Sequence, residues 1–290
     1  MYWQHHIDKV DENLERLIPV SKQKPLNRLS EACLYSLMAP SKRIRSVIAI
    51  ITAEALGLDA SKVLDAACAL EMVHTYSLIH DDLPCMDDDN MRRGKPALHI
   101  AYDESTAILA GDYLLTRAFE VISQCNDLDS DIKIELIQSL SQKAGYNGMI
   151  GGQIIDIFYE DKNIELDMLK QLHSLKTGAL LIQAVEIAII ISKAPDDIRK
   201  LLRSFAEKIG LAFQVIDDIL DVTGSTEELG KPAQSDLNQN KSTYVSLLGI
   251  GNSKKYADSL INEAFQILKQ LPYNTDELKE IAEYILKRKN

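Results

Sequence analysis

An apolar segment that ends in five acidic residues constrains this chain more than any other feature. The segment from Leu64 to Ile79 contains neither glycine nor proline and predicts a buried helix. The acidic residues that follow it are Asp81, Asp82, Asp87, Asp88 and Asp89. Carboxylates this close together raise one another's pKa unless a cation lies among them. The pattern therefore favours a hard divalent cation such as Mg²⁺, which prefers carboxylate oxygens and substrate phosphates.

The residues after this helix predict a loop that carries both acidic and basic side chains. Pro84 breaks the helix, so the segment from Leu83 to Met86 should let Asp87 fold back toward Asp81. Arg92 and Arg93 lie just downstream and suit phosphate groups, because guanidinium pairs with them bidentately. Taken alone, the cluster fits a solvated helix end of mixed charge equally well.

A second acidic cluster, from Phe213 to Asp221, ends another apolar helix. Asp217 and Asp221 are four positions apart and Gln214 precedes Asp217 by three, so all three side chains should lie near one helical face. The two clusters could face each other across a helical bundle. Together they would hold more than one Mg²⁺ and a diphosphate.

These motifs carry a clear resemblance. DDLPCMD, followed by RRGKP, and the later FQVIDDILD resemble the two aspartate-rich motifs of trans-isoprenyl diphosphate synthases, and the spacing of the first is similar to that of the bacterial farnesyl type. The resemblance covers nearly the whole chain. It implies an all-α, isoprenoid synthase-type helical bundle around a deep central cavity. It also implies a single polyprenyl synthase domain over residues 1–290 and a homodimer.

The resemblance further implies a Mg²⁺-dependent, head-to-tail prenyltransferase. The expected reaction condenses isopentenyl diphosphate with an allylic diphosphate, dimethylallyl or geranyl, to give farnesyl diphosphate. About three Mg²⁺ per site are implied by the family, and their expected ligands are Asp81, Asp87 and Asp217, with Asp82, Asp218 and Asp221 in support. The residues expected to act on the leaving diphosphate are Arg92, Lys176 and Lys231.

Basic and polar residues elsewhere match the substrate contacts of the same family. Those expected to hold isopentenyl diphosphate are Lys42, Arg45, His74 and Arg93, and those expected at the allylic diphosphate and its cleft are Arg92, Lys176, Thr177, Gln214, Lys231 and Lys241. The sequence departs from the family pattern at three places: Pro40 and Ser41 replace two glycines, Ser46 replaces a proline, and Asn240 and Val245 flank the last lysine segment. These departures would weaken substrate binding if they shift the loops.

The helix start at Lys42, Arg43 and Arg45 is unusual in its own right. Three cations at a helix N-terminus oppose the helix dipole, so an anion should compensate them. Tyr76 and Ser77 precede Asp81 by about one to one and a half turns. In the family this position forms the floor of the pocket for the growing prenyl tail, and a bulky aromatic there favours a fifteen-carbon product.

Composition and charge limit the partners and the cellular location that we expect for this chain. The net charge of −11 argues against a nucleic-acid partner and against an anionic membrane surface. Four cysteines without a CxxC pair predict a reducing, cytoplasmic location. The start MYWQHHIDKVDEN has no signal-peptide character. The longest apolar run, Ala179 to Ile191, is too short to span a bilayer and predicts a buried helix, so stable membrane insertion is not expected.

Apolar periodicity predicts the remaining helices. They cover 2–18, 26–38, 44–56, 98–123, 131–158, 166–192, 255–270 and 275–288. Gly151 and Gly152 fall inside one of them and cost about 1 kcal/mol each relative to alanine, which predicts a close neighbour or ligand at that face.

Four alternatives remain open at the level of sequence. Another product length, geranyl or geranylgeranyl diphosphate, is the nearest. A non-catalytic subunit of a heteromeric prenyl synthase would account for the altered substrate loops, although such subunits tend to lose the second aspartate motif. A terpene cyclase would need neither that motif nor the basic helix start. A helical phosphohydrolase, suggested by His80 and Asp81, would need further histidine ligands.

Overall fold

The computed structural model describes residues 3–224 and 242–288. Its α-helices are α1 (Gln4–Leu17), α2 (Lys24–Leu37), α3 (Ile44–Ala55), α4 (Ser61–Asp81), α5 (Leu98–Ala101), α6 (Glu104–Ser123), α7 (Ser130–Ala144), α8 (Met149–Phe158), α9 (Leu166–His173), α10 (Ala179–Ile191), α11 (Asp196–Thr223), α12 (Tyr244–Leu248), α13 (Ile250–Leu268) and α14 (Asp276–Lys287). In the described ranges, the β-structure is one short antiparallel hairpin, β1 (Met91–Arg92) and β2 (Lys95–Pro96), in which Met91 pairs with Pro96. The predicted all-α class is confirmed.

The centre of the bundle is built from the most apolar helices. Every residue of α10 is buried, as its composition predicts, and it packs against α3, α4, α7 and α11. Its two polar residues have partners, because Gln183 accepts a hydrogen bond from Ser139 at 2.6 Å and Glu186 pairs with Arg203. By length and composition alone, the stretch Leu166–Ile191 could cross a membrane. However, 78% of its most apolar segment is buried inside the protein.

Two predicted helices are each divided in the structure. The prediction of one helix over 98–123 is wrong, because the chain breaks between α5 and α6. There Asp103 has an extended backbone and caps α6 by accepting a hydrogen bond from the Thr106 N–H at 2.7 Å. The prediction over 131–158 is wrong for a similar reason. Gly145 and Gly148 form the turn between α7 and α8, and a β-carbon at Gly148 would lie 1.9 Å from the carbonyl oxygen of Lys143.

The predicted helix over 166–192 is continuous but contains one irregular turn. Residues Ser174–Gly178 form a π-helical turn between α9 and α10. Such turns occur frequently at functional sites because the wider turn redirects a few side chains. Here the turn contains Lys176 and Thr177, both expected at the substrate site.

Arg43, one of the three cations at the start of α3, is compensated inside the protein. The side chain of Arg43 is 1% exposed, and its Nε donates to Asp11 Oδ1 at 2.8 Å while Nη1 lies 3.3 Å from Glu71 Oε1. The Ser46 hydroxyl donates to the other oxygen of the same glutamate, Glu71 Oε2, at 3.2 Å. The buried ion pair joins α3 to α4, which carries the acidic cluster at its far end.

Breaking this pair should cost much stability. We expect Arg43→Met to lower the free energy of unfolding by about 3–5 kcal/mol, because it leaves the buried Glu71 carboxylate without its cation. The matched control is Arg28→Met, which removes an exposed pair with Asp103 and should cost less than about 1 kcal/mol. Urea unfolding of both variants measures the difference. Equal losses would mean that the buried pair does not anchor α3 to α4.

Candidate functional site

The first acidic cluster lies at the C-terminal end of α4, where Asp81 is the last helical residue. After Pro84 the chain reverses, and the backbone N–H of Asp87 donates to the Asp81 carbonyl at 2.8 Å. The N–H of Asp88 returns to the carbonyl of Leu83 at 3.2 Å and closes the loop. The predicted return of Asp87 toward Asp81 is confirmed.

Asp81 is electrostatically unfavourable as an anion in this position. Burial is the main cause that raises its pKa to about 6, and the nearby Asp87 carboxylate raises it further. The ammonium group of Lys176 opposes this effect without cancelling it. A carboxyl group with this environment accepts a cation readily, since a cation removes both the repulsion and the cost of burying the charge.

Asp82, unlike Asp81, is paired with an arginine. Its carboxylate is 2% exposed and binds the guanidinium of Arg92, whose Nε lies 2.8 Å and 3.2 Å from the two oxygens. Arg92 also contacts Asp89 at 3.2 Å. Arg92 belongs to β1, so the pair fixes the hairpin to the end of α4. The guanidinium predicted to bind diphosphate is therefore already held by carboxylates.

A group of cationic and neutral donors lies beside the acidic cluster. Within the described residues, neither Arg45 nor Arg93 forms a salt bridge, and the Arg45 Nε is buried without a hydrogen-bond partner. Burial lowers the pKa of Arg93 to about 10, and burial together with Arg45 and Arg93 holds the pKa of His74 well below its usual value. His74 is thus neutral in a positive environment that suits an anion. Lys42 lies with its Nζ 5.4 Å from the ring centre of Tyr284.

The π-helical turn brings Lys176 against α8. Its Nζ lies 2.5 Å from Asp156 Oδ2, and both side chains are largely buried. The close approach needs Gly152, because a β-carbon there would lie 2.2 Å from the backbone nitrogen of Lys176. The predicted close neighbour of this glycine is confirmed, and that neighbour is the backbone of the π-helical turn.

A chain of hydrogen bonds connects the same turn to the second acidic cluster. Thr177 Oγ1 donates to Gln214 Oε1 at 3.0 Å, and Gln214 Nε2 donates to Asp218 Oδ1 at 3.2 Å. The other oxygen of Asp218 accepts from the backbone N–H of Tyr244 at 2.7 Å. Asp218 is therefore a buried link between α11 and α12.

Asp217 is the most exposed carboxylate of the second cluster, and it faces a cation. Its side chain is 41% exposed and accepts a hydrogen bond from Arg288 Nη2 at 2.6 Å. The same guanidinium donates to the Phe213 carbonyl at 2.7 Å and stacks 3.6 Å from the centre of its ring. Asp221 is 3% exposed, one turn further along the helix.

One cavity of about 480 Å³ lies beside Asp81 at the end of α4 and beside the π-helical turn. Its polar lining includes Arg45, His74, Asp81, Lys176 and Thr177, and its apolar lining comes mainly from α4, α6, α8 and α10.

Tyr76 and Ser77, predicted to form the pocket floor, both line this cavity. Tyr76 is 6% exposed, its ring meets that of His80 edge-on at 5.7 Å, and its hydroxyl has no hydrogen-bond partner among the residues described. His80 is held by close approach to α6, where a β-carbon at Gly111 would meet its ring at 2.2 Å.

Two predicted site residues, Lys231 and Lys241, lie outside the described residues. Conversely, Asp156 and Arg288 are not among the predicted site residues, but they contact Lys176 and Asp217. Weak signals for both exist in the sequence. Asp156 shares a helical face with Gln153, and Arg288 belongs to a basic terminal run, but neither pattern identifies the partner.

Known proteins resemble this chain over most of its length. A family model described as polyprenyl synthetase matches residues 26–285. A farnesyl diphosphate synthase of Haemophilus influenzae is 46% identical over 264 residues, which cover 90% of this chain and 89% of that protein. A chloroplastic geranylgeranyl pyrophosphate synthase of Arabidopsis thaliana is 42% identical over 275 residues, 93% of this chain and 79% of that protein.

A solved structure supports the same assignment. The geranyltransferase of Helicobacter pylori, complexed with magnesium and isoprenyl diphosphate, is 34% identical. It superposes with a TM-score of 0.85 over 98% of this chain and 95% of that one. The predicted isoprenoid synthase-type bundle is confirmed, and the chain belongs to the polyprenyl synthetase family.

Proposed function

We propose that this protein condenses isopentenyl diphosphate head-to-tail with an allylic diphosphate and that its product is farnesyl diphosphate. The observation that carries the proposal is the common cavity. It joins the buried carboxyl group of Asp81, the Lys176 ammonium, Arg45 and His74 to a long apolar wall. An anionic head and an apolar tail are the two parts of a prenyl diphosphate. The relatives named farnesyl diphosphate synthase support the same activity.

The acidic residues fit magnesium by their chemistry. Asp81 and Asp87 offer hard oxygen ligands, and the pKa of Asp81 is raised mainly by burial and further by the Asp87 carboxylate. We assign Asp81, Asp87 and Asp217 as ligands of about three Mg²⁺. Asp82 and Asp221 support them from within the same two clusters, Asp82 through its pair with Arg92. The chemistry that magnesium supplies here is neutralisation of the charge that develops on the leaving diphosphate.

The basic residues on the allylic side complete the binding of that diphosphate. Lys176 lies beside Asp81 and provides a charge close to the departing group, while Thr177 and Gln214 orient the adjoining wall. Arg92 would share its guanidinium between Asp82 and the substrate. Lys231 and Lys241 are assigned to the same diphosphate from their sequence motifs alone.

The second substrate occupies the cationic side of the site, next to Arg45 and His74 in the cavity wall. Arg45 and Arg93 lack salt-bridge partners among the described residues, so their charges are available to the diphosphate of isopentenyl diphosphate. Lys42 and neutral His74 add hydrogen-bond donors. These residues would hold the double bond of isopentenyl diphosphate next to the reacting carbon of the allylic substrate. A reaction between two molecules then becomes an oriented reaction within one complex. The proton lost after bond formation goes to the released diphosphate, since no described side chain in the cavity stands out as a base.

Association into a homodimer fits the exposed apolar surface of α6 and α8. Four side chains on these helices are between 44% and 61% exposed: Ile108, Leu109, Ile154 and Phe158. Ile154 also lines the cavity, so a second copy placed on this face would close the cavity wall. Contiguous exposed apolar patches commonly mark an interface.

The proposal also includes the domain organisation and the cellular location of the protein. We propose a single domain over residues 1–290, because one continuous core cluster runs from Trp3 to Ile285. A cytoplasmic location is supported by four cysteines without disulfides, of which Cys85 is exposed.

Removing the Asp81 charge should slow turnover strongly. We expect Asp81→Asn to lower kcat by about 10²–10³, because the group that attracts the cation to the leaving diphosphate is lost. The matched control is Asp88→Asn. Asp88 is exposed, and asparagine tolerates its positive φ of 53°. Initial rates with geranyl diphosphate and isopentenyl diphosphate in Mg²⁺ measure the effect. Near-normal turnover by Asp81→Asn would refute the metal assignment.

Product length tests the role of Tyr76. The wild-type chain should release a fifteen-carbon product, and Tyr76→Ala should release longer ones because the ring no longer closes the pocket. Tyr76→Phe is the control, since it keeps the ring and removes a hydroxyl without a described partner. Products are dephosphorylated and sized by chromatography. A twenty-carbon wild-type product would assign a geranylgeranyl synthase instead, and no condensation by the folded chain would favour a non-catalytic subunit.

A further inference from the structure

A second group of metal-ligating side chains lies outside the cavity, where α1, α3 and α14 meet. His6, Glu54 and Glu277 each place one donor atom within 4.8 Å of the other two. His6 Nε2 lies 3.3 Å from Glu54 Oε2 and 4.0 Å from Glu277 Oε2. The three residues come from distant parts of the sequence, so only the folded chain brings them together.

The imidazole of His6 lacks the partners that a buried polar group normally has. Its side chain is 1% exposed, and neither ring nitrogen forms a hydrogen bond with a described residue. Burial, assisted by His5 and Lys9, lowers its pKa to about 4 against the attraction of Glu277. The ring is therefore neutral at pH 7 and has a lone pair to donate. Buried polar groups are satisfied in most proteins, so an unsatisfied one facing two carboxylates points to a ligand.

Space for that ligand adjoins two of the three donors, Glu54 and Glu277. A cavity of about 190 Å³ is lined by Glu54, Glu277, Asn274 and the apolar residues Ile51 and Leu278. It is large enough for an ion with a bound water molecule. Burial also raises the pKa of the Glu54 carboxyl group.

We propose that His6 Nε2, Glu54 and Glu277 bind one divalent transition-metal ion, of which Zn²⁺ fits the donors best. Zinc accepts imidazole and carboxylate ligands at about 2.0–2.2 Å, often three from the protein with water as the fourth. Tetrahedral coordination at these lengths separates ligand atoms by about 3.4 Å. The separation of 3.3 Å already meets this value, and that of 4.0 Å needs a small rotation of the exposed Glu277 side chain. Magnesium prefers oxygen donors alone and suits this set poorly.

Such an ion would connect both ends of the described chain. Trp3, the residue before α1, already packs on α14 through Tyr284, and their rings meet edge-on at 5.4 Å. α14 leads directly to Arg288, which binds Asp217 in the candidate active site. The ion would therefore stabilise the position of the helix that delivers this arginine, without contacting substrate.

The test is a zinc titration of the full chain against a chromophoric zinc indicator, with millimolar Mg²⁺ present to occupy the aspartate-rich clusters. The variants are Glu277→Gln and His6→Gln. Glu277 is 56% exposed, so its substitution leaves the fold intact even if the buried His6 variant fails to fold. The matched control is Asp276→Asn, which removes the same charge from the same helical turn. Melting temperatures with and without Zn²⁺ provide a second readout.

We expect one equivalent of Zn²⁺ to bind and to raise the melting temperature by ligand linkage. Glu277→Gln should weaken zinc binding at least 10-fold and reduce the thermal shift, whereas Asp276→Asn should leave both near wild type. Equal affinities of wild type and Glu277→Gln would overturn the proposal. It would also be overturned if Asp276→Asn weakened binding as much as Glu277→Gln, or if the zinc site were lost only in Asp81→Asn.

Discussion

The buried carboxyl group of Asp81 is the constraint on which the site depends. It ends an apolar helix, and the returning loop fixes Asp87 beside it through a 2.8 Å backbone hydrogen bond. Its pKa of about 6 lies roughly two units above the ordinary value of 3.8. At about 1.4 kcal/mol per unit, the ionised form costs the fold on the order of 2–3 kcal/mol. The protein thus retains an unfavourable charge at the place where a cation and a diphosphate would remove the cost.

The arginines around this site fall into two groups with different functions. Arg43 and Arg92 are paired with buried carboxylates, and these pairs fix α3 and the β-hairpin against α4. Arg45 and Arg93 have no salt bridge within the described chain, and burial lowers the pKa of both. The first group holds the walls in place. The second group keeps positive charge available to an anionic substrate next to neutral His74.

Local signals made much of this arrangement predictable from the sequence. Pro84 after an apolar helix predicted the return of Asp87, and Gly152 in a helix predicted a close neighbour, because both effects act within a few residues. The divided helices were missed because the cap at Asp103 and the turn at Gly148 lie inside otherwise helical apolar patterns. The pairs of Arg43 with Glu71 and of Arg288 with Asp217 could not be predicted, since their partners are chosen by helix packing.

The most direct measurement is the thermal stability of Asp81→Asn and wild type, each with and without Mg²⁺, from pH 4 to 8. Because the folded-state pKa of Asp81 is raised, its contribution to the stability of the wild type falls as pH rises from about 4 to 6, and the amide variant lacks this loss. Without Mg²⁺ above pH 6, the account predicts that the variant melts several degrees higher than wild type. It also predicts that Mg²⁺ raises the melting temperature of wild type much more than that of the variant. A variant that melts lower at every pH, or that keeps the full Mg²⁺ response, would contradict the account.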